Sequence, residues 1–437
     1  MHEDKEEVIN QTMPWHDLHK KNPDESFPCN VCSLTKLKAA FMLPSSRNGI
    51  EISLSKKKLI KTLIEISQDD DIVEMIRAER GLYLLKLINA SDPELQILGC
   101  LLLAKQTKLI PEETLKMSIP TLVHFLVFDV SSQSLSFREV TLIAIKKLAK
   151  KGEDLRVRLG RLGVFPNLLT LIVSSSTSQH DLTIQILALQ VIRELVLSTK
   201  VNQEMFFQVG GAQIILELLG SSASSDRVKC MSIEILCILS SLRDGRREIA
   251  NRSGVSFIVE AMKAGSMDAK ARGAHALGLL SFTKRIRRMI VNAGGIPVLI
   301  DILRDGDEMA KLVAGNSLGL ISACVDHLWQ VAQAGAIPLF IDLLEGGNPH
   351  GKDITEDAFC ILAVSEENAL IIMDHLVRIL QYGSLASKAA AADIIWDLAC
   401  YRHSVSVVVL SGAIPVLVGL LKHENDELRE NVLGAIA

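Results

Sequence analysis

One phrase recurs along this chain. "AGGIPVLIDILRDGDEMAKLVAGNSLGLISAC" from Ala293, "AGAIPLFIDLLEGG" from Ala334 and "SGAIPVLVGLLKHENDELRENVLGAIA" from Ser411 are variants of it. Set in register on the proline, Pro120, Pro166, Gln213, Phe257, Pro297, Pro338, Asp374 and Pro415 fall into line, with Leu82 a degenerate first member. The spacing is roughly 40 residues, the range of helical solenoid units. A unit this short cannot bury its apolar faces alone, so units must stack on one another.

Each part of the phrase has a physical cause. Glycine precedes the proline at Gly163, Gly210, Gly254, Gly294, Gly335 and Gly412. A helix that stops and turns sharply needs φ > 0, which glycine adopts without steric cost. Proline opens the next helix, where its missing N–H has no intrahelical partner to lose. An apolar run follows ("PVLIDIL", "PLFIDLL", "PVLVGLL"), then a polar linker ("RDGDE", "KHENDE"), then a longer helix with apolar residues three and four apart. Ala314, Gly315, Gly319 and Ala390, Ala391, Ala392 on the long helices let neighbouring backbones come close. Aromatics are 4% of the chain, so its core is aliphatic and it lacks the stacking platforms of a base-binding protein.

The phrase, the polar linker and the long third helix together resemble the armadillo-repeat family. The clear matches run from Gly163 to the end, and weaker ones reach back to Leu82. The resemblance implies an all-α, armadillo-type α-solenoid, a right-handed superhelix of three-helix repeats. It implies a solenoid over 51–437 of about nine stacked units, after a largely flexible segment over 1–50. Within the family, the irregular repeats look most like the arrays of plant U-box proteins, although no U-box is recognisable. The last third helix breaks off at "ENVLGAIA", and truncation is the expectation.

The first 50 residues hold Pro14, Pro23, Pro28 and Pro44 and many polar residues, which suits a flexible segment. "FPCNVC" contributes Cys29 and Cys32, half of a four-ligand zinc site, with His16 and His19 nearby. Their order and the proline-rich spacer match no zinc pattern, so two reduced cysteines are expected and no metal or cofactor. Helix begins at about Glu51, burying Leu59, Ile60, Leu63 and Ile64. The scattered cysteines suit a reducing compartment, cytoplasmic or also nuclear. The formal charge of −4 draws the protein to neither nucleic acid nor anionic lipid. Ser404 to Leu421 is uncharged enough for a membrane span, but it keeps the repeat's register, so no span is expected.

Catalytic signatures such as a P-loop or an H-E-x-x-H are missing. The histidines stand apart, His124 and His275 in helices, His180 and His350 in linkers. The expected function is a non-enzymatic protein-interaction scaffold. Two alternatives are the substrate-recognition part of a ubiquitin ligase and a transport adaptor for a basic cargo.

The resemblance places partners in a groove lined by third helices, where family members often carry an asparagine that pairs with an extended peptide backbone. The aligned residues here are Leu102, Lys147, Glu194, Ile238, Leu279, Leu320, Ile361, Asp397 and Ala435, none of them asparagine. One turn earlier stand Gln190, Glu234, His275, Asn316, Asp357, Asp393 and Asn431. With Glu194 and Asp397 they form a polar, mostly acidic stripe suited to a basic segment, or simply a solvated face. A second candidate surface is a basic ridge on the first helices, with Arg246, Arg247, Lys284, Arg285, Arg287 and Arg288, or again ordinary amphipathic surface. Trp329, in "DHLWQVA", reads as core, whereas Trp396 adjoins the groove position Asp397.

Overall fold

The computed structural model describes residues 82–127, 135–174, 179–401 and 404–437. The expectations for the first 50 residues, the helix from Glu51 and the Cys29/Cys32 segment lie outside these residues. Every regular element among the described residues is an α-helix. Contacts divide the chain into two compact units, 1–111 and 112–437, where the sequence suggested one solenoid from 51. In the first, α1 (Leu82–Ile88) packs on α2 (Pro93–Gln106). Gly99 permits this, because a Cβ there would stand 2.8 Å from Ile88 Cγ1.

The second unit is the solenoid. It opens with α3 (Glu112–Val127) and α4 (Leu135–Lys151). Three-helix repeats follow: α5 (Glu153–Arg161), α6 (Val164–Ser174) and α7 (Gln179–Val196); α8 (Lys200–Gln208), α9 (Gly211–Gly220) and α10 (Asp226–Leu239). Next come α11 (Arg243–Asn251), α12 (Gly254–Ala264) and α13 (Met267–Leu280), then α14 (Lys284–Asn292), α15 (Gly295–Asp305) and α16 (Glu308–Ser322). Then stand α17 (Val325–Gln333), α18 (Ala336–Glu345) and α19 (Pro349–Leu362), then α20 (Glu366–Tyr382) and α21 (Leu385–Ala399). The last are α22 (Val405–Leu410), α23 (Ala413–Leu420) and α24 (Asp426–Ile436). The third helices α4, α7, α10, α13, α16, α19, α21 and α24 pack each on the next.

The joints follow the sequence logic with two corrections. Gly294, Gly335 and Gly412 take φ of +82°, +84° and +78°. In the α11–α12 joint, however, Ser253 takes the left-handed conformation, at φ 61°, and not Gly254. Gly254 is needed for space, since a Cβ there would meet Ile249 O at 2.6 Å. The proline is also not the first helical residue: α15 starts at Gly295 and Pro297 is its third. It still lies among the N–H positions that lack an intrahelical acceptor.

Two repeats depart from three helices. α3 runs straight through Pro120, and α20 runs straight through Asp374. Neither has a glycine before the register position to end its first helix, and α3 accommodates Pro120 in its interior.

The polar linkers act as helix caps. Asp307 Oδ1 accepts from Ala310 N at 2.8 Å, Ser384 Oγ from Ser387 N at 3.1 Å and Asn425 Oδ1 from Leu428 N at 2.8 Å. Each satisfies one orphan N–H and contributes about 1 kcal/mol. His350, expected in a linker, lies in the first turn of α19, and His180 in that of α7. The core is aliphatic, with two edge-on ring pairs, Phe165–Phe206 between repeats and Phe340–Phe359 within one.

Candidate functional site: the third-helix face

The face begins at α4 and α7 with cations as well as acids. Lys146 Nζ donates to Gln190 Oε1 at 2.7 Å, and burial followed by the nearby Lys150 pushes its pKa down to about 8. Glu194 pairs with Lys150 at 3.8 Å and with Arg193. Arg193 also reaches Glu234 Oε1 on α10 at 3.1 Å, and Arg272 of α13 holds Glu234 Oε2 at 2.9 Å. Glu194 and Glu234 are therefore only 6% and 7% exposed, and their charge is matched by this chain's own arginines. They link successive repeats through these ion pairs. Their partners escaped the sequence analysis, which followed the acids alone. Reading both signs across one repeat would have paired Arg193 with Glu234.

The middle of the face is neutral. His275 Nδ1 lies 3.1 Å from Cys237 Sγ, and burial pushes the imidazole pKa down to about 4. Asn316 is half-buried beside Ser317, whose Oγ donates to Ala274 O at 2.7 Å. Ile238, Leu279, Leu320 and Ile361, at the register position where an asparagine was sought, are all half-buried. A small residue draws α13 and α16 together, since a Cβ on Gly278 would stand 2.7 Å from Ser317 Oγ.

At α19 and α21 the face turns acidic. Asp357 is exposed, while Asp393 and Asp397 are half-buried. Lys352 Nζ lies 2.6 Å from Asp393 Oδ2. Burial works against the Lys352 charge, but Asp393, Glu356 and Asp353 hold its pKa above the usual lysine value. Burial, then a hydrogen bond to Asp397, pushes Glu356 up to about 8. Burial likewise pushes the Cys360 thiol up to about 12. Trp396 is exposed next to Asp397 and packs over Gly434. Asn431 points inward, donating to Ala389 O at 3.0 Å. Among the described residues no group of three or more His, Cys, Asp or Glu is placed to hold a metal ion.

The basic ridge is largely engaged. Arg246 lies 4.3 Å from the Phe282 ring centroid and donates to Ser240 O and Ser241 O, both at 3.1 Å. Arg287 donates to Ser281 O at 2.7 Å, and burial lowers its pKa. Arg156 Nη1 and Gln203 Nε2 make the same link to Ala149 O and Val196 O, at 3.1 and 2.8 Å. All four are the fourth residue of a first helix, and they satisfy the last carbonyls of the preceding third helix. Lys284 and Arg288 share Asp326 at 3.1 and 3.6 Å, while Arg247 and Arg285 are exposed. Trp329, expected in the core, is 52% exposed on α17.

Stacked three-helix repeats joined by left-handed residues define an α-solenoid. The Armadillo/beta-catenin-like repeat matches residues 403–437. An engineered protein solved by crystallography is similar, with a TM-score of 0.70 and 20% identity over 90% of this chain and 96% of its own. A second engineered protein gives a TM-score of 0.50 and 17% identity over 56% of this chain and 99% of its own. A crystal structure of computationally designed armadillo repeat proteins for modular peptide recognition gives 0.49, with 16% identity over 55% of this chain and 98% of its own. No curated protein matches the chain. Residues 403–437 thus match an armadillo-type repeat, and the chain has the fold of an armadillo-type α-solenoid. No single helix among the described residues is long and apolar enough to cross a membrane.

Proposed function

We propose that this protein is a protein-binding scaffold, and that the α19–α21 end of its third-helix face receives a basic segment of a partner. One observation carries the reading. Asp353, Glu356, Asp393 and Asp397 gather there around Lys352, with Asp357 among the acids beside Cys360, whereas the acids at α7 and α10 are matched by arginines. Such an excess of carboxylates over cations attracts cationic partners and speeds their encounter. The role is one of binding and not of catalysis. Cytoplasmic or nuclear residence belongs to the same proposal, and cell fractionation tests it.

The experiment is affinity capture from native extract with the wild type and an Asp357→Lys, Asp393→Lys, Asp397→Lys variant of equal helicity and melting temperature. The reading expects partners that the variant loses and that elute as salt rises. If the variant keeps the same partners, the reading fails. Two narrower readings, a ubiquitin-ligase substrate receptor and a transport adaptor for basic cargo, each need their own partner in that capture. The first requires a conjugating enzyme or a U-box protein, the second a transport receptor.

A further inference from the structure

Between the charge-matched α7–α10 end and the acidic α19–α21 end lies a strip of four aliphatic side chains. Ile238, Leu279, Leu320 and Ile361 come one from each of α10, α13, α16 and α19, at the same register position, each still partly open to solvent. Close packing at Gly278 brings α13 and α16 together. Next to it Asn316 presents a single amide, while other polar atoms are engaged. The Cys237 thiol lies against His275, and Ser317 donates to Ala274 O.

An extended segment laid on such a floor needs partners for its own backbone N–H and C=O groups, and aliphatic side chains offer none. A backbone group that loses water without a replacement bond is costly. An α-helix satisfies its backbone internally and presents only side chains. Three steps between neighbouring third helices at about 9 Å each span about 27 Å, which about 18 residues of α-helix cover at 1.5 Å per residue.

Resting on the scaffold reading above, we propose that the third-helix face takes an amphipathic α-helix of a partner protein. Its aliphatic stripe lies over Leu279 and Leu320, and its basic end lies over Asp393 and Asp397. The charge of the occupant follows from the asymmetry of the face, and its conformation follows from the aliphatic strip.

The test uses the full chain as bait for a displayed library of random 20-residue peptides. Recovered peptides are expected to carry apolar residues at i, i+3 or i+4 and i+7, with lysine or arginine clustered at one end. They gain helical circular dichroism on binding. A proline at the centre of the peptide weakens binding at least tenfold. The chain variant Leu279→Asn, Leu320→Asn does the same, while Leu279→Met, Leu320→Met, which keeps volume and apolarity, binds within about threefold of wild type. Circular dichroism melts check that both variants fold. Peptides with alternating apolar residues, tolerance of the central proline, or unchanged binding to the asparagine variant overturn the inference. If such extended binders are still lost with Asp393→Lys, the helix inference falls and the basic-segment reading stands. If no peptide is recovered that depends on either set of residues, both fall.

Discussion

Arg193 on α7 donates to Glu234 on α10 at 3.1 Å, and the other oxygen of the same carboxylate receives Arg272 from α13 at 2.9 Å. One buried acid thus ties three successive third helices, with Lys150 and Glu194 extending the chain of charges to α4. Removing one member of such a network leaves the others desolvated and uncompensated. Glu234→Ala is expected to destabilise the solenoid by about 3 kcal/mol, read as a lower urea midpoint. The exposed Asp357→Ala should change it by less than about 0.5 kcal/mol.

Glu356 gives a dependence on pH. Burial and Asp397 raise its folded pKa to about 8, above the ordinary 4.5. Between those values the folded state holds a proton that the unfolded state has released. The stabilisation is fully present below 4.5 and is lost as pH rises through 8. Glu356→Gln keeps the volume and removes the titration. Its advantage over wild type in urea unfolding should therefore grow from pH 5 to pH 8.5.

His275 acts in the opposite sense. Burial lowers its folded pKa to about 4 from 6.5. The unfolded state binds the proton first as pH falls, so this contribution is present above 6.5 and is lost as pH drops toward 4. In NMR spectra the His275 ring is expected to show no titration between pH 5.5 and 8. His275→Gln should flatten the acid limb of the stability curve.

Ser253 holds a left-handed conformation, φ 61°, at a joint where other repeats use glycine. That conformation costs a residue with a Cβ about 1–2 kcal/mol. Ser253→Gly should raise the melting temperature, while Gly335→Ala, at φ +84°, should lower it.

His327 is a site where the sequence departs from its own pattern. It is the third residue of α17, the place that Asn202 holds in α8 and Asn368 in α20. Those asparagines donate to Leu195 O and Leu362 O at 2.8 and 3.1 Å. His327 is 5% exposed, and neither ring nitrogen has a partner among the described residues. His327→Asn is expected to stabilise the protein by about 1 kcal/mol, seen as a higher urea midpoint.

The repeat period, the helical class and most joints were legible because they depend on residues close in sequence. Gly294 before Pro297, and Asp307 three residues before Ala310, act through local backbone geometry. The small residues Gly315 and Gly319 announced close helix packing. The joint at Ser253 misled because Gly254 serves packing, not backbone conformation. The candidate site was half legible. Its register positions could be aligned, but acidity alone did not reveal which acids were matched by arginines.

By itself, then, the sequence determined a stack of helical units and the places where each helix starts and stops. These are properties of a few adjacent dihedrals and caps, repeated until no other arrangement buries the apolar faces. Only the tertiary structure decided that Glu234 is matched by arginines while Asp357 is exposed, that Arg287 caps a helix and that Trp329 faces outward. The pairing of Glu234 depends on side chains about 40 residues apart being brought within hydrogen-bond distance. Stacking sets that distance, and hydrogen bonds and desolvation change steeply over an ångström or two.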